Sequence, residues 1–522
     1  MPAEPLALVF DLGTQSMRAL LVNPGGEIIL KAQRAFKEPY FSKEPGWAEQ
    51  RPDFYWDELC KASLALKARA ASFWQEIAVV SCTTIRDTLL CLDKDNRPLR
   101  DAILWLDDRK AGDLKTLPHF FAAILKGARM LERVEHMRQV SHCNWVSVHE
   151  TEIWRKTEKL VFISTWLNYK LCGNLADSYA GIVGHLPFDY RNKIWMKSGD
   201  ILRFIWETED KGFCELAEPG AMLGTISAGA AEATGIRAGI PLAASGSDKG
   251  CETLGLSCLS EDKAALSFGT TATVQFATKK YLEPIRYMPA YPGVVPGWYN
   301  PEIEIYRGYW LLSWFKREFA GKENEEAARL GINAERLLDE RLKEIRPGCD
   351  GLILQPYFTP GIDMPFAKGS VIGFSDIHTR IHLYRAIIEG INFALMEGLR
   401  SMEKRGGMKI RSLYVAGGGS RSNEVCGITA SMFGIPVYRI QTHEAAGIGA
   451  ALAAFKALGA FDSWEEGVLS MVHVKDEFLP DRRASEIYEA LYQKVFSRIF
   501  AKLSPLYGEL RKVLGIFQNR PF

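Results

Sequence analysis

The sequence predicts an α/β protein in which two sheet domains share one cleft. An apolar strand, a Gly-Thr turn and a second strand occur at residues 6–22 and again at residues 264–277. Elsewhere, strand-like runs alternate with helix-like runs, which is typical of α/β folds. The repeated hairpin indicates a faint internal duplication, in which each half contributes one Gly-Thr turn to the cleft.

Composition excludes several classes of protein. The 522 residues include 64 Lys and Arg and 63 Asp and Glu, so 64 − 63 gives a net charge of +1. Neither nucleic acid nor an anionic membrane is therefore expected as a partner. No apolar run reaches the roughly 20 residues that a membrane-spanning helix needs, and the ten cysteines form no CxxC pair. We expect a cytoplasmic protein with reduced thiols.

The first half begins with three predicted strands. Apolar runs at 6–10, 17–22 and 28–32 are separated by turn residues, as in an antiparallel meander at the edge of a sheet. Further along, the patterns predict a helix beginning at Pro52, strands at 77–81 and 89–92, and a largely helical stretch over 112–170.

The second half repeats the alternation. Strands are expected at 264–268, 273–277, 412–416 and 435–439. Helices are expected from Thr379 to Gly406-Gly407, up to residue 433, and over 444–458. These elements predict a first domain over residues 1–250, a second over 251–475, and a helical extension over 476–522 that packs on the second.

The motif DLGTQSMR, residues 11–18, is a candidate phosphate site. A carboxylate at the end of a buried strand is costly unless a cation or several donors meet it. Asp11 could therefore hold Mg²⁺ through water, with the turn wrapped around a nucleotide's outer phosphates. Taken alone, an acidic hairpin turn without function explains the motif equally well.

The glycine run AGGGSRSN, residues 416–423, lies between a strand and a helix. Glycines there let a ligand approach the backbone, although tight helix–strand packing would also explain some of them. The run does not match an early GxGxxG dinucleotide motif, so adenosine is favoured over NAD. The chain contains neither GxxxxGK[ST] nor the HRD and DFG set, which excludes P-loop kinases and protein kinases.

Two further pieces could bind and activate a hydroxyl. Asp248, in SGSDKG, could accept a proton during phosphoryl transfer, although a helix-capping aspartate is the simpler explanation without context. Arg86 and Asp87 combine donors with an acceptor, which suits vicinal hydroxyls, and Trp105 could cover a polyol face. The alternatives are a surface ion pair and a core tryptophan.

Taken in order, the motifs resemble those of the FGGY carbohydrate kinases. The segments DLGTQSMR, GWAEQRP, ILWLDDR, GSDKG, SFGTT and AGGGSRSN follow the family's order and approximate spacing over residues 6–460. The resemblance implies two actin-like (ribonuclease H-like) domains flanking a deep nucleotide and sugar cleft. It also implies ATP-dependent phosphorylation of a sugar or polyol hydroxyl, with ATP mainly on the second domain and sugar mainly on the first.

The resemblance also implies roles for individual residues. Asp248 is the expected catalytic base, and Asp11 and Asp248 are expected at Mg²⁺. ATP is expected at Thr14, Gln15, Ser16, Arg18, Gly269, Thr270, Thr271, Gly418, Gly419 and Asn423. The sugar is expected at Arg86, Asp87, Trp105, Asp107, Arg109 and Lys249.

The pocket departs from both of the family's familiar patterns. Ile85-Arg86-Asp87 stands where xylulokinases carry Met-His-Gly and glycerol kinases carry Arg-Glu, so the pocket resembles the glycerol type with a shorter acid. Lys249 stands where glycerol kinases usually carry Gln, which puts plain glycerol in doubt and leaves a longer polyol, a ketose or an acidic sugar open. A chaperone-like or filament ATPase and a non-catalytic sugar sensor are the alternative functions. By analogy with the family, a homodimer is a possible assembly.

Overall fold

The computed structural model describes residues 4–128, 130–208, 210–359, 361, 364 and 366–515. A six-stranded sheet forms the first half, in the order β5-β6-β4-β1-β2-β3. Its strands are β1 Leu6–Leu12, β2 Ser16–Val22, β3 Ile28–Ala35, β4 Ile77–Thr84, β5 Met222–Thr225 and β6 Pro241–Ala243. Strand β4 runs parallel to β1 and β6, and the other pairs are antiparallel.

A second six-stranded sheet has the order β9-β8-β7-β10-β11-β12. Its strands are β7 Lys263–Phe268, β8 Ala272–Phe276, β9 Glu302–Ile305, β10 Ser412–Ala416, β11 Val437–Ile440 and β12 Val474–Phe478. Here β10 is parallel to β7 and β11, and the other pairs are antiparallel. Strand by strand, this repeats the pairing of the first sheet, which confirms the predicted duplication and the α/β class.

Seven helices frame the two sheets and the cleft. They are α1 Pro52–Ala70, α2 Ile163–Cys172, α3 Ala228–Thr234, α4 Asp248–Gly255, α5 Arg380–Gly406, α6 Asn423–Phe433 and α7 Ala445–Ala457. The other helices are His119–Gly127, Leu131–Val140, His142–His149, Thr151–Lys156, Trp310–Phe319, Gly321–Leu330, Ala334–Glu340, Trp464–Met471, Arg482–Leu491 and Ser497–Leu514.

Smaller sheets lie outside these layers. Glu49–Gln50, Ala102–Ile103, Leu89–Leu92 and Lys159–Phe162 form a four-stranded sheet in that order. Four two-stranded sheets join Phe188–Asp189 to Ile194–Trp195, Ala176–Ser178 to Glu215–Ala217, Tyr291–Pro292 to Tyr299–Asn300, and Ile353–Gln355 to Ser370–Ile372. The helical prediction for 112–170 is therefore wrong over Lys159–Phe162, a short apolar run that pairs with a distant strand.

Helix α5 begins and ends where the sequence predicts. Thr379 and His382 form a reciprocal capping box, which satisfies two N–H groups that a helix start leaves unpaired. The helix ends at Gly407, whose φ of 67° is left-handed, a conformation that glycine adopts without steric cost. Local chemistry thus sets both ends of this long buried helix.

Helices α4 and α7 pack closely where the two halves meet. A Cβ on Gly449 would lie 1.9 Å from the carbonyl oxygen of Cys251, and one on Gly255 would lie 1.9 Å from that of Ala445. Only glycine permits this approach. Because α7 also packs on β1 and β4 of the first sheet, α4 is held firmly, and Asp248 is its first residue.

The C-terminal helices pack on the core of the second half. Ala484, Tyr488, Phe496 and Ile499 belong to the same apolar cluster as β7 and α5. The predicted boundary between residues 475 and 476 falls within β12, and residues 516–522 of the predicted extension lie outside the described residues. Within the described ranges, no helix combines the length and apolar character needed to cross a bilayer.

Candidate active site

The first hairpin carries a buried ion pair at its tip. Asp11 is paired across the strands with Arg18, whose Nη1 donates to Asp11 Oδ2 at 2.7 Å. The Nε of Arg18 lies 3.4 Å from an oxygen of Glu444, which precedes α7. Burial raises the pKa of Asp11 even though Arg18 opposes the shift, and Glu444 and Glu252 raise it further. Two further carboxyl groups, those of Glu444 and Glu252, therefore lie near Asp11.

The turn after Asp11 is tight and partly open. The Gly13 N–H donates to the Ser16 carbonyl at 3.0 Å, which closes the turn. Thr14 Oγ1 accepts the indole N–H of Trp105 at 3.0 Å, and Ser16 Oγ accepts from Gln33 at 3.4 Å. Gln15 is exposed at the tip. The predicted phosphate loop and the predicted sugar-facing tryptophan are thus in direct contact.

The second hairpin also joins two antiparallel strands through a turn that begins with glycine, but it lacks the acid. Ser267 occupies the place in β7 that Asp11 occupies in β1, two residues before the glycine of the turn. The Gly269 carbonyl accepts the Tyr309 N–H at 3.0 Å, Thr271 donates to the Tyr306 carbonyl at 3.3 Å, and Thr270 is exposed. This turn offers an exposed hydroxyl and backbone groups rather than a charge.

Two glycines of the run at 416–423 allow close packing, and a third has open space beside it. Gly417 has a φ of 84°, and a Cβ there would lie 2.7 Å from the Phe268 backbone. A Cβ on Gly419 would lie 2.2 Å from the Tyr309 ring, whereas nothing lies within 4 Å of one on Gly418. Asn423 is exposed at the start of α6 and accepts from Arg439 at 2.8 Å. Packing therefore explains Gly417 and Gly419, and Gly418 faces open space.

Asp248 begins α4, which Ser247 caps by accepting the Gly250 N–H. Its side chain is 28% exposed, so a ligand can reach the carboxylate. Burial raises the pKa of Asp248 to about 6, although Arg86 and Lys249 oppose this shift. Such a carboxylate is largely ionised near neutral pH and basic enough to accept a proton.

Lys249 links α4 to the second hairpin. Its Nζ lies 3.0 Å from Glu252 Oε1 and donates to Ser267 Oγ at 2.7 Å. Ser267 in turn donates to Glu252 Oε2 at 3.2 Å. Because Glu252 also raises the pKa of Asp11, Asp11 of the first hairpin and Ser267 of the second both lie near this one glutamate.

Arg86 and Asp87 do not pair with one another. The Arg86 guanidinium bonds Glu302 twice, at 2.7 and 3.1 Å, and Glu304 once, at 2.6 Å. Its Nε lies 3.9 Å from Asp248 Oδ1. Both glutamates belong to β9 in the second half, so this cation joins the two halves, and its donors are already engaged by carboxylates.

Both carboxylate oxygens of Asp87 contact His185. One carboxylate oxygen accepts the His185 backbone N–H at 2.9 Å, and the other lies 2.6 Å from His185 Nδ1. Burial alone would lower the pKa of His185, but Asp87 outweighs it and the net shift is upward. Asp87 has a φ of 46°, and a Cβ on Gly184 would lie 2.3 Å from its Oδ1. A strained backbone at such a position is common in functional sites.

Trp105 is 38% exposed, as a platform for a ligand requires. Asp107 and Arg109, in contrast, form a buried two-bond pair, with both N–O distances at 2.8 Å. The guanidinium lies between the rings of Trp47 and Trp145, at 4.0 and 4.5 Å. Both side chains are closed to solvent, so a supporting role behind the pocket fits them better than contact with sugar.

The structure adds site residues that sequence reasoning missed. They are His185, Glu252, Glu302, Glu304 and Glu444, each within or beside the clusters above. None lies in a recognisable motif. The alternating pattern Glu302-Ile-Glu304 on a predicted strand is the one local signal, since it places two acids on one face.

No group of three or more His, Cys, Asp or Glu side chains within the described ranges is arranged to hold a metal directly. The chemistry around Asp11 nevertheless fits a hydrated Mg²⁺. Burial and neighbouring acids disfavour the ionised form of this carboxylate, and a cation would relieve that. Mg²⁺ usually keeps several waters and takes one or two carboxylates plus substrate phosphates.

Comparison with known proteins identifies relatives along most of the chain. The model of the FGGY carbohydrate kinase N-terminal domain matches residues 6–255, and that of the C-terminal domain matches 264–458. The xylulose kinase of Lactococcus lactis is 26% identical over 513 residues, which cover 96% of this chain and 98% of that protein. The autoinducer-2 kinase of Escherichia coli is 27% identical over 501 residues, 92% of each protein.

Solved structures support the same fold. The gluconate kinase of Lactobacillus acidophilus has a TM-score of 0.81 at 19% identity, and the match covers 97% of this chain and 100% of that one. The relatives' names differ in substrate. The structural likeness therefore carries the fold, the family models carry the enzyme class, and the sugar has to be argued from the pocket.

Proposed function

Because the chain belongs to the FGGY family of carbohydrate kinases, we propose that it transfers the γ-phosphoryl group of ATP to a hydroxyl of a small sugar or polyol, with Asp248 as the base. Sugar kinases of this family use ATP. We assign sugar binding mainly to residues 1–250 and ATP mainly to 251–475. The observation that carries the proposal is the partly exposed Asp248 carboxylate at the start of α4, 3.9 Å from Arg86, whose neighbour Lys249 bonds Ser267 of the second hairpin.

The chemical step is a direct transfer. As the substrate hydroxyl oxygen forms its bond to the γ-phosphorus, the bond from that phosphorus to the β–γ bridging oxygen breaks and ADP leaves. The hydroxyl proton passes to the Asp248 carboxylate and is later released to solvent. Arg86 and Lys249 favour the ionised carboxylate before the step, whereas burial makes it basic enough to accept the proton.

The two hairpins hold the phosphates in this proposal. Backbone N–H groups and the hydroxyls of Thr14 and Thr270 face the terminal phosphates, and Gly418 leaves room for the adenosine. Asp11, with Asp248 near the transferred group, would hold Mg²⁺, which when bound supplies positive charge to the phosphate oxygens. Arg18 keeps Asp11 oriented through its 2.7 Å bond.

The sugar lies between Trp105 and His185 in this arrangement. Both Asp87 oxygens contact His185, so Asp87 acts as a positioning residue and the partly exposed imidazole makes the contact. The remaining ring nitrogen can donate to or accept from a hydroxyl. The chaperone-like and sensor alternatives leave a reachable base beside two phosphate-type hairpins unexplained.

The test is ADP release by the purified chain with ATP and Mg²⁺ across polyols, ketoses, aldoses and sugar acids. We expect one class to stimulate ADP release at least 100-fold above the no-sugar rate, and mass spectrometry to show the phosphorylated product. ATP hydrolysis that no sugar accelerates, or that unfolded peptides accelerate, would contradict the proposal.

A further inference from the structure

The strongest unexplained feature of the cleft is the set of carboxylates around Arg86. Three hydrogen bonds join its guanidinium to Glu302 and Glu304, which lie 216 and 218 residues away on β9. The Tyr291 ring covers the guanidinium at 5.4 Å. The Glu302 side chain is only 1% exposed, so this contact is built into the closed cleft.

Lys249, the other cation beside Asp248, is also bonded to protein side chains. Its ammonium group contacts Glu252 at 3.0 Å and Ser267 at 2.7 Å. The group of Arg86, Lys249, Asp248, Glu252, Glu302 and Glu304 therefore contains two cations and four carboxyl groups. Glu304 thus shares the Arg86 guanidinium with Glu302, and the carboxyl groups of the cluster outnumber its cations by two.

An acidic substrate would meet this excess of carboxyl groups without a free cation. Like charges brought together in a partly desolvated site repel strongly, and this is a standard way to reject a wrong ligand. A neutral polyhydroxylated substrate meets acceptors instead, because each hydroxyl can donate to a carboxylate. The charge pattern discriminates between these two classes.

We propose that Glu302 and Glu304 are specificity-determining residues that reserve the pocket for neutral polyols and sugars by neutralising Arg86 across the cleft. The inference rests on the proposed function, because it names the substrate class of that site. Of the substrates that the sequence left open, the proposal retains a longer polyol and a ketose and excludes an acidic sugar. Arg86 becomes a positioning residue rather than a ligand for an anion.

The experiment compares wild type with Glu304→Gln and with Glu302→Gln/Glu304→Gln. The amide is nearly isosteric and its oxygen can still accept a bond from Arg86, so the side-chain shapes are kept while two ionisable carboxyl groups are removed. The matched probes are D-xylulose and D-glucitol as neutral ligands, and D-xylonate and D-gluconate as acids. Calorimetry without ATP gives Kd, and ADP release gives kcat/KM.

We expect wild type to bind at least one neutral ligand at least tenfold more tightly than either acid. In the double variant, the acid-to-neutral ratio should rise at least tenfold in both Kd and kcat/KM, and in Glu304→Gln about threefold. Tyr299→Phe is the control. It removes another contact between the halves, the 2.6 Å bond from the Tyr299 hydroxyl to the Arg191 carbonyl, and should leave the ratio unchanged.

Several outcomes would overturn the inference. They are wild-type preference for an acid, failure of wild type to bind either neutral probe, an unchanged ratio in Glu304→Gln, or an equal change for both ligand classes, which would indicate a simple closure contact. The binding readout separates this inference from the proposed function. Selective binding of neutral ligands without phosphoryl transfer would contradict the function and leave the charge argument standing.

Discussion

The two hairpins at the cleft have similar strand–turn–strand backbones and different chemistry. Each joins the first two strands of its sheet, and in each the glycine follows two residues after the key position. At that position the first hairpin carries the buried acid Asp11, and the second carries the neutral Ser267. The first is paired with Arg18, and the second is reached by Lys249 from outside its sheet.

This difference shows that two hairpins of a duplicated fold can contribute different chemical groups to one site. Both turns present backbone groups suited to phosphate oxygens. Only the first also presents a carboxylate that a divalent cation could bind, whereas the second leaves its cation on α4, beside Asp248. In the proposed function, Asp11 at the first hairpin would hold Mg²⁺, whereas the second hairpin is joined through Lys249 to the helix that begins with Asp248.

The strongest test of this difference is to substitute the key residue of each hairpin in turn. Asp11→Asn keeps the size of the side chain and removes the charge, so we expect kcat to fall about 100- to 1000-fold and the Mg²⁺ dependence to weaken. Ser267→Ala removes one hydroxyl and should cost tenfold or less. Steady-state kinetics at varied Mg²⁺ measures both, and equal losses would contradict the division of roles.

A smaller effect is expected in the sugar pocket. The Asp87 carboxylate contacts His185 and raises the pKa of its imidazole. Asp87→Asn removes that charge. We expect KM for the sugar to rise about tenfold while KM for ATP stays within twofold. His119→Asn, at an exposed histidine of the same half, is the control. If ATP affinity changes as much as sugar affinity, Asp87 does not act through the sugar pocket.

The smallest effects separate packing from ligand contact in the glycine run. Gly419→Ala places a methyl 2.2 Å from Tyr309, so the free energy of unfolding should fall by about 1–3 kcal/mol. Gly418→Ala meets no atom within 4 Å and should preserve Tm while raising KM for ATP several-fold. Thermal unfolding and ATP kinetics distinguish them. A normal KM for ATP in folded Gly418→Ala would contradict the assignment of this loop to the adenosine site.

Local chemistry made much of the fold predictable. The turn between the runs at 17–22 and 28–32, the Thr379 cap and the strand at 412–416 each lie where the sequence predicts them. These elements depend on interactions within a few residues. The strand Lys159–Phe162 was missed because its pairing partner, Leu89–Leu92, is about 70 residues away and helical surroundings mask a four-residue run.

The site was less predictable, for the same reason. Asp248, Trp105 and the two hairpins belong to local motifs and could be named in advance as candidates. The partners of Arg86 and Asp87 could not, because Glu302 is 216 residues from Arg86 and His185 is 98 from Asp87. A charged side chain in a motif predicts that a partner exists, but only the tertiary structure identifies it.

The central claim is that Asp248 accepts the substrate proton. The most direct measurement is the pH dependence of kcat/KM for the best sugar in wild type and in Asp248→Asn, with ATP affinity measured in parallel. Ionisation activates the base, so the wild-type rate should fall as pH drops through about 6 and level off above it. The variant should lose about 1000-fold in kcat and the acidic limb, with ATP bound normally. A variant that turns over at the wild-type rate, or that keeps the same limb, would contradict the account.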